Sequence, residues 1–164
     1  MSEVLKVGMA ESLVAQAPSR LACFGIGSCV CVALYDPEAQ LAGLAHSMLP
    51  SAPLSASPMG QERAKYADSA VPWLVESMEK SGARRSRLFA RLVGGATMFS
   101  FGNKADGSLS LGERNLKAAR ESLKAIGIEL RSEDGGGSVG RSIEFDPADG
   151  SLLVRTAWAD LRWL

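Results

Sequence analysis

The chain has no stretch approaching the ~20 consecutive apolar residues of a membrane-spanning helix. It also has no excess of either charge, since its 18 lysines and arginines are balanced by 18 aspartates and glutamates. Without net charge there is no overall field to draw it toward DNA, RNA or an anionic membrane. Nucleic-acid binding and membrane insertion are therefore not expected. The N-terminus, Met1-Ser2-Glu3-Val4-Leu5-Lys6, lacks a basic segment followed by an apolar run, so it does not read as a secretory signal. The expectation is a cytoplasmic protein with reduced thiols. Arg84, Arg85 and Arg87 form a local basic patch that reads as a solvated helix end and turn.

Cysteine and histidine are scarce. The three cysteines, Cys23, Cys29 and Cys31, form an odd, tightly clustered set, which is a poor disulfide framework. The C-x5-C-x-C spacing is followed by no second cysteine cluster, and a single histidine, His46, cannot complete the usual zinc patterns. No metal and no cofactor are expected. Cys31 and Cys23 read as buried small hydrophobes. Cys29 differs because it follows Gly25-Ile26-Gly27-Ser28, a turn that glycine backbone freedom permits.

What the chain does have is 46% hydrophobic residues spread over 164 positions, enough for one domain with a real core. We read residues 1–157 as that domain and 158–164 as a tail. No internal repeat is visible. Residues 12–17 and 21–24 read as short strands. Residues 29–35 and 41–49 read as a hairpin closed by Asp36-Pro37-Glu38-Ala39-Gln40. Residues 51–63 read as a surface loop, either a lid or plain solvent-exposed chain. Residues 66–81 read as a helix with Ala67, Ala70, Val71, Leu74, Val75 and Met78 on one face, Gly82 as its stop and Pro72 as a kink or late start. Residues 87–93 read as a strand. Residues 111–126 read as a second helix, with Ser110 and Glu113 as its capping box. A short strand over 128–131, a glycine-rich loop over 133–140 and a last hairpin (142–145 with 151–156) complete the pattern. Strands, helix, strand, helix, strands in that order argue for a mixed sheet with packed helices.

The first hairpin carries the chemistry. Pairing Leu34 with Leu41 sets Ala33 opposite Ala42, Cys31 opposite Leu44 and Cys29 opposite His46, with directly opposed Cβ atoms ~5 Å apart. An imidazole at that range takes the thiol proton, holds the thiolate as an ion pair and later returns the proton to a leaving group. The backbone N–H groups of the turn at Gly27 and Ser28 are candidate donors to a developing oxyanion. The tail Trp158-Ala159-Asp160-Leu161-Arg162-Trp163-Leu164 carries two tryptophans and reads as a docking anchor or as packing on its own domain.

These residues resemble the CheD family of chemoreceptor glutamine deamidases. The matching segments are Gly25-Ile26-Gly27-Ser28-Cys29-Val30, Ala45-His46-Ser47-Met48-Leu49-Pro50, Lys65-Tyr66-Ala67-Asp68, Gly94-Gly95-Ala96-Thr97-Met98-Phe99, Leu111-Gly112-Glu113-Arg114-Asn115, and Glu133-Asp134-Gly135-Gly136 with Arg141. They run in order from about Val7 to Thr156. The resemblance implies an α+β fold, a mixed α/β sandwich with a mostly antiparallel sheet and flanking helices, related to bacterial toxin deamidases. It implies hydrolysis of glutamine carboxamides on methyl-accepting chemotaxis receptors, with Cys29 as nucleophile and His46 as base. A CheC-type phosphatase is implied as a second partner, which opens the alternative of a non-catalytic binding module. Cys23 stands where the family has its third catalytic residue, a threonine, and Gly135 where relatives often carry threonine. A thiol is the weaker hydrogen-bonding group, and Thr97 is a substitute by residue type only.

Overall fold

The computed structural model describes residues 3–98, 108–156 and 160–164. One five-stranded sheet has the order β1-β3-β8-β9-β10, made of β1 (Val4–Lys6), β3 (Arg20–Ile26), β8 (Arg141–Phe145), β9 (Leu152–Thr156) and β10 (Leu161–Trp163). The other has the order β2-β5-β4-β6-β7, made of β2 (Ser12–Gln16), β5 (Leu41–Ser47), β4 (Val30–Asp36), β6 (Phe89–Gly94) and β7 (Glu129–Gly135). Each sheet has one parallel pair, β1 with β3 and β6 with β7, and is otherwise antiparallel. Helices α1 (Ala67–Lys80) and α2 (Leu111–Ala125) both pack on the second sheet. The result is the expected α/β sandwich, with the flanking helices on one side only: a helical layer, a central sheet and an outer sheet.

The central position of β4 explains its sequence. All seven of its residues are buried, so the strand reads as a continuous apolar run and not as an alternation. Val30, Val32 and Leu34 face the helices, where α1 contributes Ala70, Val71, Leu74, Val75 and Met78. Cys31, Ala33 and Tyr35 face the outer sheet, against Leu21, Cys23, Ile143, Phe145, Leu152 and Val154. Fully burying each large aliphatic side chain contributes about 1.5–3 kcal/mol. In β5 the neighbour of α1 is Gly43, where an added Cβ would lie 2.7 Å from Met78 Sδ and 3.0 Å from Leu74 Cδ1. The missing side chain lets the helix sit close to the sheet.

The capping box at Ser110 and Glu113 is present. Pro72 neither delays the start of α1 nor ends it, and lies in its sixth position. A proline there leaves the carbonyl of Asp68 without its helical donor. The Ser122 hydroxyl of α2 fills the gap, donating to Asp68 O at 3.0 Å.

Other expectations are corrected in detail. Strand β3 runs through Gly25 to Ile26, and a bulge between Cys23 and Ile26 takes up the glycine at φ 65°. Residues 133–135 belong to β7 and not to a loop. Within the 51–63 segment a 3-10 helix begins at Gly60 and continues to Lys65. Strand β1 was not anticipated. In the tail, Leu161–Trp163 pairs with β9 and exposes Leu161 and Trp163, whereas Trp158 lies outside the described residues. In the basic patch Arg84 and Arg85 are exposed as expected, whereas Arg87 binds buried Asp36.

Candidate active site

Two strand relationships assemble the site. Strands β3 and β4 face each other across the sandwich and bring Cys23 and Cys31 together, while β4 and β5 pair and bring Cys31 directly opposite His46. The sulfurs of Cys23 and Cys31 and a ring nitrogen of His46 all lie within 4.8 Å of one another. Cys29 sits one residue before β4, joins the same interlayer cluster and is 9% exposed, against 0% for Cys23 and Cys31 and 1% for His46. It is the thiol nearest the surface.

The expected register, with Cys29 opposite His46, is therefore corrected to Cys31 opposite His46 and Val30 opposite Ser47. The reason lies at the turn. Asp36 stays in the strand and pairs with Leu41, because its Oδ1 accepts from the N–H groups of Glu38 and Ala39 at 3.1 Å and Arg87 anchors it from outside. Gln40, at φ 50°, closes the four-residue loop. The slide is two residues, so it keeps every side chain on its expected face. Cys29 becomes a diagonal neighbour of His46 instead of its opposite number.

Burial works against a charged ring, yet contact with the sulfurs of Cys23 and Cys29 outweighs it and raises His46 to about 10. Neither ring nitrogen has a hydrogen-bond partner of ordinary geometry among the described residues, and the groups that act on the ring are these sulfurs. Contact with Cys31, then with His46, brings Cys23 down to about 6 against the opposing effect of burial. Burial, with the adjoining Cys23, raises Cys31 well above the ordinary thiol range. Cys31 is thus the proton-bearing thiol of the pair. In its own thiol form Cys23 donates to the Val7 carbonyl at 3.4 Å.

The turn before Cys29 is held on all sides. Ala96 N–H donates to Gly27 O at 3.0 Å and Gly95 N–H to Cys29 O at 2.7 Å. Asn115, fully buried on α2, donates through Nδ2 to Ser28 O at 2.8 Å and to Met48 O at 3.1 Å. Gly94 permits this approach: its φ is 119°, and a Cβ there would strike the Cys29 carbonyl. Beside the turn lies an open cleft of about 360 Å³, lined by Gly27, Ser28, Cys29, Thr97, Ser110 and the exposed side chains of Met9 and Met98 among others.

Of the sequence candidates, Cys29, His46, Cys23, Gly27 and Ser28 come together here. Thr97 lines the cleft but gives its hydroxyl to Ser110 Oγ at 2.9 Å. Sequence reasoning missed Asn115 as the clamp on the turn and Cys31 as the neighbour of His46. The first was visible only as the last residue of a motif. The second was hidden by the two-residue error in register.

Comparison with known proteins identifies the family. Residues 48–156 match the family model described as CheD chemotactic sensory transduction. The "Probable chemoreceptor glutamine deamidase CheD" of Syntrophomonas wolfei is 44% identical over 156 residues, covering 95% of each chain. The "Chemoreceptor glutamine deamidase CheD" of Halalkalibacterium halodurans is 44% identical over 158 residues, also covering 95% of each. Among solved structures, the Bacillus licheniformis hypothetical protein YfiH aligns with a TM-score of 0.46 and 18% identity, over 76% of this chain and 50% of that one. With a matching family model over residues 48–156 and relatives of that name 44% identical along nearly the whole chain, the chain belongs to the CheD family.

Proposed function

We propose that this protein hydrolyses the carboxamide of selected glutamine side chains on chemoreceptors, giving glutamate and ammonia. The observation that carries the reading is the placement of Cys29 at the mouth of the cleft with its sulfur acting on the buried His46 ring. Relatives named for this activity support the choice of substrate.

The reaction follows from the residues. In the resting ion pair His46 already holds the Cys29 proton, and the thiolate attacks the carboxamide carbon. The carbonyl oxygen becomes an oxyanion beside the turn at Gly27 and Ser28, whose N–H groups are its proposed donors. Because the carbonyls of Gly27, Ser28 and Cys29 are each engaged elsewhere, this turn needs no reorganisation during the reaction. His46 then protonates the departing nitrogen, ammonia leaves and a thioester remains. Water attacks the thioester carbon as His46 accepts its proton, and Cys29 leaves as the thiolate, restoring the ion pair. Cys23 acts as a positioning residue. Its sulfur faces the imidazole, and in its thiol form it donates to Val7 O, the two roles a threonine hydroxyl would fill there.

Incubating the purified protein with a receptor cytoplasmic fragment tests the proposal. Wild type should release ammonia and add negative charge at glutamine positions, and Cys29→Ala should lose at least about 10³-fold in rate. Equal background release from both proteins rules the activity out.

A CheC-type phosphatase is the second proposed partner. The exposed Leu161 and Trp163 on the edge strand β10 favour docking at that end of the outer sheet. A cytoplasmic location belongs to the same proposal. Among the described residues no helix is long and apolar enough to cross a membrane.

A further inference from the structure

We propose that Cys23, Cys31 and His46 form a zinc-binding site, and that zinc bound there silences the cleft. Cys31 has no part in the proposed deamidation, yet its sulfur, the sulfur of Cys23 and a ring nitrogen of His46 lie mutually within 4.8 Å. Tetrahedral zinc, with bonds of about 2.3 Å to sulfur and about 2.0–2.1 Å to nitrogen, needs its ligand atoms about 3.4–3.8 Å apart. A contraction of at most about 1.4 Å, within the reach of small side-chain rotations, brings the three atoms to zinc-binding distances, with a solvent oxygen as the fourth ligand.

A second observation points independently to a ligand. His46 is 1% exposed, and neither ring nitrogen has a hydrogen-bond partner among the described residues. A buried polar atom without a partner is costly, and a cation on one nitrogen would satisfy it. Charge and softness select the ion. Two thiolates and a neutral imidazole suit a thiophilic divalent ion and neutralise it, as an apolar interlayer requires. Cys29 is the cluster's one thiol on the open cleft, which marks the path by which an ion would enter. Spacing along the chain cannot reveal this site, because β3 and β4 supply its ligands from different sheets.

Zinc on His46 removes the proton-transfer group of the proposed reaction, so the consequence for activity rests on the deamidase reading. The binding itself does not. The test therefore reads binding by spectroscopy, using Co(II) added to the metal-free full-length protein. Wild type should take up one equivalent, with intense near-ultraviolet thiolate-to-cobalt bands and the strong visible bands of four-coordination, and Zn(II) should displace it. Cys31→Ser and Cys23→Thr should each weaken Co(II) binding by at least about tenfold, with folding checked by circular dichroism. Whatever its basal rate, metal-free Cys31→Ser should lose its sensitivity to zinc, whereas the wild-type rate should fall on zinc addition. Absence of the charge-transfer bands from wild type overturns the proposal, and so does an unchanged spectrum in either variant. If Cys31→Ser does not fold, wild type and Cys23→Thr decide the matter alone.

Discussion

The Asn115 carboxamide donates to the carbonyl of Ser28 at 2.8 Å, one residue before the thiol at the cleft, and the same nitrogen reaches Met48 O at 3.1 Å. One buried side chain thus ties the turn before β4 to the chain leaving β5. Asn115→Ala would strand two carbonyls, each costing about 1–3 kcal/mol when desolvated and unpaired. We expect a loss of about 2 kcal/mol or more in thermal or denaturant unfolding. The ammonia-release rate should fall at least about tenfold through misplacement of Cys29. Unchanged stability and rate would show that the turn is held without it.

The parts of this architecture that were legible beforehand share a physical cause. Helix α2 announced itself through a local signal, since Ser110 and Glu113 act within one turn. Strand β4 was legible because burial on both faces forces a solid apolar run. Register was not legible. It depends on Asp36 being gripped by Arg87, which lies 51 residues further along the chain, and no local pattern encodes that contact. Strands β1 and β10, each three residues long, are too short to impose a period of their own and exist through pairing with β3 and β9. At the site, the Cys29–His46 association was legible from one hairpin. The companionship of Cys23 and Cys31 was not, because it needs two sheets to stack.

Cys23 offers a test of positioning by exchange. Cys23→Thr restores a hydroxyl that can donate to Val7 O and accept from His46, so its deamidation rate should stay within about tenfold of wild type. Cys23→Val keeps the shape but can do neither, and a positioned imidazole is worth about 10²–10⁴-fold in proton transfer. We expect Cys23→Val to lose about 10²-fold in kcat with KM little changed. A KM effect alone, or equal rates in the two variants, would show that Cys23 only fills space.

His46 is the sole histidine, so its ring signals in NMR need no assignment. In the metal-free protein the imidazole should remain charged at neutral pH and lose its proton near 10, where Cys23 and Cys29 hold it. Its raised value contributes stability that is complete below about 6.5 and is lost as pH rises through 10. Cys23, lowered to about 6, has the opposite slope: its contribution is complete above the ordinary thiol range and is lost as pH falls through 6. The two slopes offset each other between these limits, so ring chemical shifts, and not unfolding curves, report the pair. Cys23→Thr should lower the His46 midpoint. A midpoint near about 6.5 in both proteins would mean that no thiolate faces the ring.

Asp36 governs stability in acid. It is fully buried and accepts from the N–H groups of Glu38, Ala39 and Arg84 and from Arg87 Nε at 2.9–3.1 Å. Burial alone would raise its carboxyl; the Arg87 guanidinium and the backbone donors reverse that and hold it below the usual value. A lowered carboxyl contributes stability that is complete above its unfolded pKa of about 3.9 and is lost as pH falls through the lower folded value. Arg87→Ala should cost about 2 kcal/mol at neutral pH. That is less than the about 3–5 kcal/mol of a fully buried broken pair, because Arg87 is 22% exposed and three backbone donors remain. The gap between wild type and variant, followed by denaturant unfolding from pH 7 to pH 3, should narrow as Asp36 takes up its proton. A gap independent of pH would assign the whole cost to lost packing of the arginine stem, leaving the turn and the register of β4 on β5 to be held by the backbone donors alone.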